Sequence, residues 1–294
     1  MLTAMVEAYK RFEIHDGPGV RTTVFLKGCP LNCRWCHNPE CIDVKRALAY
    51  HANQCVLCGE CAKACPSGAH EIINGEHLLD RVKCLLCGKC VEACAFDALR
   101  IHGNSQSVNE VVRALLEDRI FFGNDGGVTI SGGEPLMHSR FVASVFHKLR
   151  AEGIHTALDT CLYAERKALD DVLPHTELFL ADLKAMDEAV HIRATGRSNR
   201  IILENFRFLS DSGARMEIRI PFVPGYNDDQ MEQMADFICR LKGVTGVKVL
   251  PYHDYAENKY TVIGKAQEKI RVPEKKEIEE AKLVLNKKGV KVLE

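Results

Sequence analysis

Eleven of the fourteen cysteines stand in three short runs, and their spacing is the first sign of chemistry in this chain. Cys29, Cys33 and Cys36 share one loop in the pattern CxxxCxxC, within "GCPLNCRWCHNPE". Cys55, Cys58, Cys61 and Cys65 form a second run, and Cys84, Cys87, Cys90 and Cys94 a third. Thiolates are soft ligands, and at such spacings they suit iron–sulfur cores or zinc better than a disulfide framework. Three thiolates on one loop can hold three corners of a cubane 4Fe–4S cluster and leave one iron open. An open iron can bind a substrate or cofactor directly, whereas a fully ligated cluster only passes electrons. The competing reading of this loop is a zinc site completed by His37.

The second and third runs are an internal repeat. "CVLCGECAKACPSGAHEI" and "CLLCGKCVEACAFDALRI" align at a constant offset of 29 residues, and each reads CxxCxxCxxxC. Bacterial ferredoxins hold two 4Fe–4S clusters by such runs, the fourth cysteine of each reaching the other cluster. The predicted ligation is therefore crossed: Cys55, Cys58, Cys61 and Cys94 at one cluster, Cys65, Cys84, Cys87 and Cys90 at the other. Paired zinc sites would use two separated CxxC pairs instead of a run of four. Pro66 follows the first run, but Ala95 follows the second, a departure from the repeat. Of the remaining cysteines, Cys161 and Cys239 read as small buried apolar residues, and Cys41 as a chance neighbour or an extra ligand.

Other short stretches carry polar groups suited to a site. In "SGGEP", Gly132 and Gly133 have no side chains to keep a ligand from the backbone, although two glycines after a strand are commonly just a turn. "LDT" and "DLK" supply Asp159, Thr160, Asp182 and Lys184, for which ordinary salt bridging is the alternative. Arg219 and His253 read either as a bridged arginine and a core histidine or as site residues. Trp35 reads as a site aromatic or as core packing. "DGPGVR", Asp16 to Arg21, is rich in turn residues.

Elements that could position these groups alternate between strand and helix. Strands are expected near 22–28, 127–132, 155–160, 176–183, 215–223 and 246–253, with a closing strand "VKVLE". Apolar residues at three and four spacing, such as Val142, Val145, Phe146 and Leu149, then Ile201, Leu203, Phe206 and Leu209, mark helices between them. A last helix is expected from near Pro273 to Gly289. The fold class is α/β, a partial (β/α)6 barrel with an inserted ferredoxin-like domain. The predicted domains are 1–49 with 103–294 for the barrel and 50–102 for the insertion. Each polar cluster falls at the C-terminal end of a strand, the face where βα barrels keep their active sites.

The chain has 294 residues and a formal net charge of −1, without a basic stripe, which argues against nucleic acid or an anionic membrane as partner. No export signal and no apolar run of membrane-spanning length is read, so the expected location is cytoplasmic.

"CPLNCRWC" resembles the CxxxCxΦC signature of the radical S-adenosylmethionine superfamily. "FEIHDGPGVRTTVFLKGCPLNCRWCHNPE" is similar to the opening of the glycyl radical enzyme activating enzymes, and the likeness runs through nearly the whole chain. It implies an open-iron cluster on Cys29, Cys33 and Cys36 that reductively cleaves S-adenosylmethionine to a 5′-deoxyadenosyl radical, which takes hydrogen from a glycine of a partner enzyme. By the same likeness, Gly133 and Glu134 hold the amino group of S-adenosylmethionine, and Asp182, Leu183 and Lys184 also bind it. Trp35 and His37 fall at the adenine, Arg219 and His253 at the ribose or carboxylate end. Asp159, Thr160 and Asp182 are expected at a monovalent cation, and the Asp16 loop near the partner's glycine segment. The implied cofactors are S-adenosylmethionine and three 4Fe–4S clusters. The implied partners are a glycyl radical enzyme and an electron donor such as flavodoxin or ferredoxin, with the chain itself a monomer. A radical enzyme acting on a small molecule would share these residues, and a plain electron carrier would need only the cysteine repeat.

Overall fold

Strand β1 (Thr3–Glu13) runs antiparallel to β2 (Arg21–Leu26), every residue of which is buried. A strand buried on both faces has helices outside it and a packed lumen inside it. The computed structural model describes residues 2–294. After the cysteine loop come β3 (Ala47–Tyr50), α1 (Glu60–Ala64), β4 (His70–Ile73), β5 (Glu76–Leu79), α2 (Lys89–Glu92), β6 (Leu99–His102) and β7 (Asn104–Ser107). The chain continues through α3 (Val108–Leu116), β8 (Gly127–Gly132), α4 (Ser139–Ala151), β9 (His155–Thr160), α5 (Arg166–Val172) and β10 (Leu178–Asp182). It ends with α6 (Glu188–Thr195), α7 (Arg200–Asp211), β11 (Met216–Phe222), α8 (Met231–Ile238), β12 (Val244–Pro251), α9 (Glu257–Val262) and α10 (Lys275–Lys287).

The main sheet has eight strands in the order β12-β11-β10-β9-β8-β2-β1-β7. From β2 to β12 all neighbours are parallel, which gives the six expected βα strands. Helices cover the outer face through the residues their periodicity marks. On α4 Val142, Val145, Phe146 and Leu149 are all buried; on α7 Phe206 and Leu209 are buried as expected, but Ile202 takes the buried place and Ile201 and Leu203 are only half-buried. Their burial is the main stabilising term of the barrel.

Two expectations are corrected. "VKVLE" forms no strand: it touches β12 at a single parallel bridge, Val247 with Val292. Only Val247 takes part, its amide donating to the Lys291 carbonyl and its carbonyl accepting from the Leu293 amide, both at 2.8 Å. The sheet also extends past β2 by two antiparallel strands that periodicity does not mark. On β1 only Ala4 and Val6 are buried, so its charged outer residues hide the alternation. Among the described residues no helix is long and apolar enough to cross a membrane.

The segment between β2 and β7 folds on its own strands. β3 pairs with β6 and β4 with β5, and the segment's small core is Leu48, Cys61, Cys90 and Leu99. Two of these four buried residues are cysteines, so apolar burial alone gives this region little stability. Groups bound by its thiols must supply the rest. Iron chelation is therefore expected to raise amide hydrogen exchange across residues 51–97 while β8 to β11 stay protected. Equal loss of protection in both regions would refute this.

Candidate active site

The cysteine loop has little regular structure of its own and is clamped by its neighbours. The Gly28 and Cys29 amides donate to the Cys41 and Ile42 carbonyls at 2.7 and 2.9 Å, closing the loop at its base. The Asn32 and Arg34 amides donate to the Thr195 and Ala194 carbonyls at 2.8 and 2.9 Å, satisfying acceptors that the end of α6 leaves free. From α9, Lys259 Nζ reaches the His37 carbonyl, Asn38 Oδ1 and Glu40 Oε1 at 2.9, 3.0 and 2.8 Å. Fully buried Lys27 donates to the Glu40 carbonyl from the other side.

The loop roofs a cavity of about 190 Å³ at the C-terminal ends of the strands. Cys29, Cys33 and Cys36 line it together with Gly132, Gly133, Asp159, Thr160, Asp182 and Lys184. Burial pushes the Cys33 thiol up to about 11 and the Cys36 thiol up to about 12. Cys29 goes the other way, its pKa lowered first by a hydrogen bond with Cys161. All three thiols face one cavity, where a metal group could draw them into the thiolate form.

A tetrahedral zinc, with Zn–S near 2.3 Å, needs sulfurs about 3.8 Å apart. The three sulfurs do not all fall within 4.8 Å of one another, and His37 forms no such group with them. Its Nε2 lies 3.1 Å from the His253 carbonyl and its ring stacks on His253 at 3.9 Å. With His37 engaged in this way, the loop offers three thiols and one open position, which suits a cluster with one open iron better than the closed four-ligand shell of structural zinc.

The GGE turn is built for close approach of backbone to backbone. A Cβ on Gly133 would lie 2.1 Å from the Gly28 carbonyl oxygen, and one on Gly132, at φ +118°, 2.2 Å from that of Leu26. Without those atoms the Glu134 amide donates to the Gly28 carbonyl at 2.6 Å, tying β8 to the root of the cysteine loop. The Glu134 side chain does not line the cavity. It is fully buried, and its carboxylate accepts from Thr160 Oγ1, the Cys161 amide and the Leu136 amide at 2.7, 2.7 and 2.9 Å. From this turn only the glycines face the cavity.

Below the cavity the lumen is acidic. Asp159 Oδ2 accepts from Ser131 Oγ at 2.6 Å, and Asp159 Oδ1 lies 3.4 Å from Arg219 Nη1. The same Nη1 lies 3.4 Å from Asp16, and Arg219 Nη2 donates to the His15 carbonyl at 2.7 Å. Arg219 thus sits beneath Asp159, outside the cavity lining, and anchors the Asp16 loop instead. Asp16 also accepts from Thr23 Oγ1 at 2.9 Å. Lys184 Nζ donates to Asp182 Oδ2 at 2.6 Å. Burial is the largest single influence and works against the Lys184 charge, but Asp182, Cys33 and Cys161 together outweigh it and hold the ammonium's pKa well above its ordinary value. Leu183 is core, with its amide on the Arg219 carbonyl at 2.8 Å.

Around the mouth, Trp35 packs on Ala194, Val223 and Tyr252 and meets Tyr226 edge-on at 5.3 Å, so it is at once core and cavity wall. His37 lines the cavity, and burial followed by neighbouring His253 pushes its pKa down to about 4, which keeps the ring neutral. His253 itself stays behind His37, and Tyr252 faces the cavity in its place.

The insertion holds two further thiol clefts. Cys55, Cys58, Cys61 and Cys94 line one with Tyr50 and His77, and Cys65, Cys84, Cys87 and Cys90 line the other with Leu48 and His70. Each cleft takes three cysteines from one run and the fourth from the other. Leu57 and Leu86, matched in the repeat, both adopt left-handed backbone at φ 61° and 53°, a strain that persists where a fold needs it. Cys41 is buried and lines neither cleft nor the cavity.

Several residues escaped sequence reading. Cys161, read there as buried filler, lines the cavity beside Cys29. Fully buried Asn227 holds the Lys184 carbonyl at 2.8 Å and accepts the Val223 amide at 2.8 Å. Its only signal was its place in "GYNDD". His77 Nε2 stands 3.7 Å from Cys61 Sγ and 2.9 Å from His70 Nδ1, a pairing visible only across the β4–β5 hairpin.

The chain matches the radical SAM superfamily over residues 89–238 and a 4Fe–4S dicluster domain over residues 47–108. It is 41% identical to the trans-4-hydroxy-L-proline dehydratase activating enzyme of Clostridioides difficile, over 96% of this chain and 95% of that relative. It is 38% identical to the benzylsuccinate synthase activating enzyme of Thauera aromatica, over 90% of this chain and 83% of the relative. Among solved structures, Streptococcus suis SuiB bound to S-adenosylmethionine shares the fold at a TM-score of 0.52 and 15% identity, covering 66% of this chain and 44% of SuiB. A cavity roofed by three half-buried thiols at the C-terminal face of a partial barrel, with these relatives, makes the chain a radical SAM enzyme of the glycyl radical enzyme activating family.

Proposed function

We propose that this chain installs a radical on a glycine of a partner glycyl radical enzyme. The observation that carries the reading is the three-thiol loop open toward a cavity lined by acids and an ammonium. A cluster held there by Cys29, Cys33 and Cys36 would supply the electron that splits S-adenosylmethionine into methionine and a 5′-deoxyadenosyl radical. An external donor such as flavodoxin or ferredoxin would restore that electron. The radical takes a hydrogen atom from the glycine Cα and leaves as 5′-deoxyadenosine.

This chain's own residues bind and orient. The Gly133 peptide, next to the thiols, would receive the amino group of S-adenosylmethionine, while buried Glu134 fixes that peptide in place. Lys184 and Asp182 would meet its carboxylate end, and Trp35, His37 and Tyr252 would wall its adenine. Arg219, 3.4 Å from Asp159, and His253, stacked on His37, would position those two side chains at the ribose or carboxylate end. The Asp16 loop, held under the lumen by Arg219, would meet the incoming glycine segment. Residues 50–102 would carry two further clusters, giving three in all. A glycyl doublet in the electron paramagnetic resonance spectrum is expected when the reduced protein, S-adenosylmethionine and the right partner are mixed, and none with Cys36→Ala. Formation of 5′-deoxyadenosine without any protein radical, across all candidate partners, would refute the protein-substrate reading.

The lumen acids support a monovalent cation at Asp159, Thr160 and Asp182. Asp159 is pushed up to about 7 by burial, against the pull of Arg219 and with the push of Asp182 and Asp16. Too few positive charges face these carboxylates, so one keeps a proton that a metal cation could replace. A folded pKa raised above the unfolded value favours the protonated folded state. Stability from this source is full near pH 4, where the unfolded carboxyl titrates, and falls as pH rises through about 7. Asp159→Asn is expected to flatten the thermal midpoint between those limits, a difference of a few kcal/mol at most. Potassium should flatten it in the unmodified protein, whereas tetramethylammonium, too large to enter, should not. Identical curves for Asp159→Asn and the unmodified chain would refute the raised carboxyl.

A further inference from the structure

We infer that the two insertion clusters have fixed and different places in the electron path: the Cys65, Cys84, Cys87 and Cys90 site hands electrons to the barrel, and the Cys55, Cys58, Cys61 and Cys94 site receives them. The inference rests on the proposed ligation of three clusters and says which of the inner two faces the reacting one. The sequence repeat makes the two sites near copies, so nothing in their motifs ranks them. Their surroundings do.

Cys84 opens onto a second cleft, of about 220 Å³, whose other walls include Leu48, Arg81, Lys27, Pro39 and Glu40. Lys27 precedes the barrel's cysteine loop and Pro39 and Glu40 follow it, so this cleft runs from one thiol site to the root of the other. No barrel residue lines the Cys55, Cys58, Cys61 and Cys94 cleft. Exposure does not rank the two sites, since Cys58, Val56 and Phe96 are exposed at that cleft and Cys87 and Leu85 at the other; the cleft toward the barrel does. Electron tunnelling falls steeply with distance, so the site beside the barrel must be the one that delivers.

A single arginine fixes this joint. Arg81, three residues before Cys84, donates to the Leu48 carbonyl inside the insertion and to the Val262 carbonyl of α9 at 2.7 Å. Fully buried Ala49 packs on Val262 and Ile263 beside it. A Cβ at Gly264 would lie 2.3 Å from Arg81 Nε, so the α9 turn leaves room for this side chain. α9 is also the helix whose Lys259 clamps His37, Asn38 and Glu40. One short helix thus ties the Cys84 site and the barrel's thiol loop into one body, with Arg81 as the positioning residue.

The test uses the reconstituted full chain and the spin relaxation of its reduced barrel cluster in the presence of S-adenosylmethionine. A reduced neighbour speeds that relaxation, and the effect decays steeply with separation. Cys84→Ala with Cys87→Ala should lower the half-saturation power several-fold, whereas the repeat-matched pair Cys55→Ala with Cys58→Ala should leave it near that of the unmodified protein. The reverse pattern, or an equal fall in both, overturns the assignment. Should either pair fail to fold, Arg81→Ala serves, since it removes no ligand. It should keep full iron content yet lower the half-saturation power and slow oxidation of the insertion clusters by the barrel cluster. Unchanged relaxation in Arg81→Ala overturns the joint. Iron for one cluster only in the unmodified chain would instead refute the three-cluster reading on which this rests.

Discussion

The hydrogen bond from the Glu134 amide to the Gly28 carbonyl, at 2.6 Å, brings the root of the cysteine loop against the turn after β8, and the site exists because of that approach. It needs a residue without Cβ at position 133, since any side chain there would overlap the Gly28 backbone. Once the two backbones meet, the Glu134 carboxylate is drawn under the turn. There it takes donors from the end of β9, so three strand ends are locked by one buried acid. A buried carboxylate is costly unless its oxygens are filled, and here three donors fill them. The roof of thiols can then rest on a floor that does not move.

The same logic governs the lumen, with a different outcome. Asp159, Asp16 and Glu217 all surround one guanidinium, with Lys248 also 3.5 Å from Glu217, and Asp182 has one ammonium to itself. Arg219 therefore serves as shared counter-ion and as the link between the Asp16 loop and the site above. An excess of acid over base inside a barrel is poor design for stability alone, because an unpaired buried charge destabilises. It is understandable where a cation, a bound cofactor or an incoming backbone is to be received, and where the receiving groups must not already satisfy one another.

Much of this was legible from residue types. Thiol spacing, strand apolarity and helical periodicity are local signals, and β8 and β9 match the expected spans residue for residue. What escaped depends on depth or on contacts far apart in sequence. Arg219 and Asp159 are 60 residues apart, and only the fold shows that the arginine lies beneath the cavity and not in its wall. The burial of the Glu134 carboxylate is equally silent, because an acid after two glycines has no sequence mark of pointing inward. Lys259 is 222 residues from the carbonyl it clamps, and an isolated lysine on a short helix carries no pattern at all. β1 was hidden because an edge-side strand with charged residues lacks the alternation that marks half-buried strands.

The insertion shows how a barrel can acquire new groups without being rebuilt. Its entry and exit strands, β3 and β6, pair with each other in register from Ala47 with His102 to Tyr50 with Leu99. The chain therefore leaves the barrel and returns at nearly the same place, the condition under which a loop accepts a folded segment. Directly after the return, β7 joins the main sheet against β1, from Thr3 with Ser107 to Val6 with Asn104. That pairing ties the segment's exit to the first strand of the chain, and β1 in turn pairs with β2, which carries the cysteine loop. The two antiparallel strands outside the parallel set thus have a mechanical role. They hold the base of the insertion in fixed register with the strand that presents the barrel's thiols.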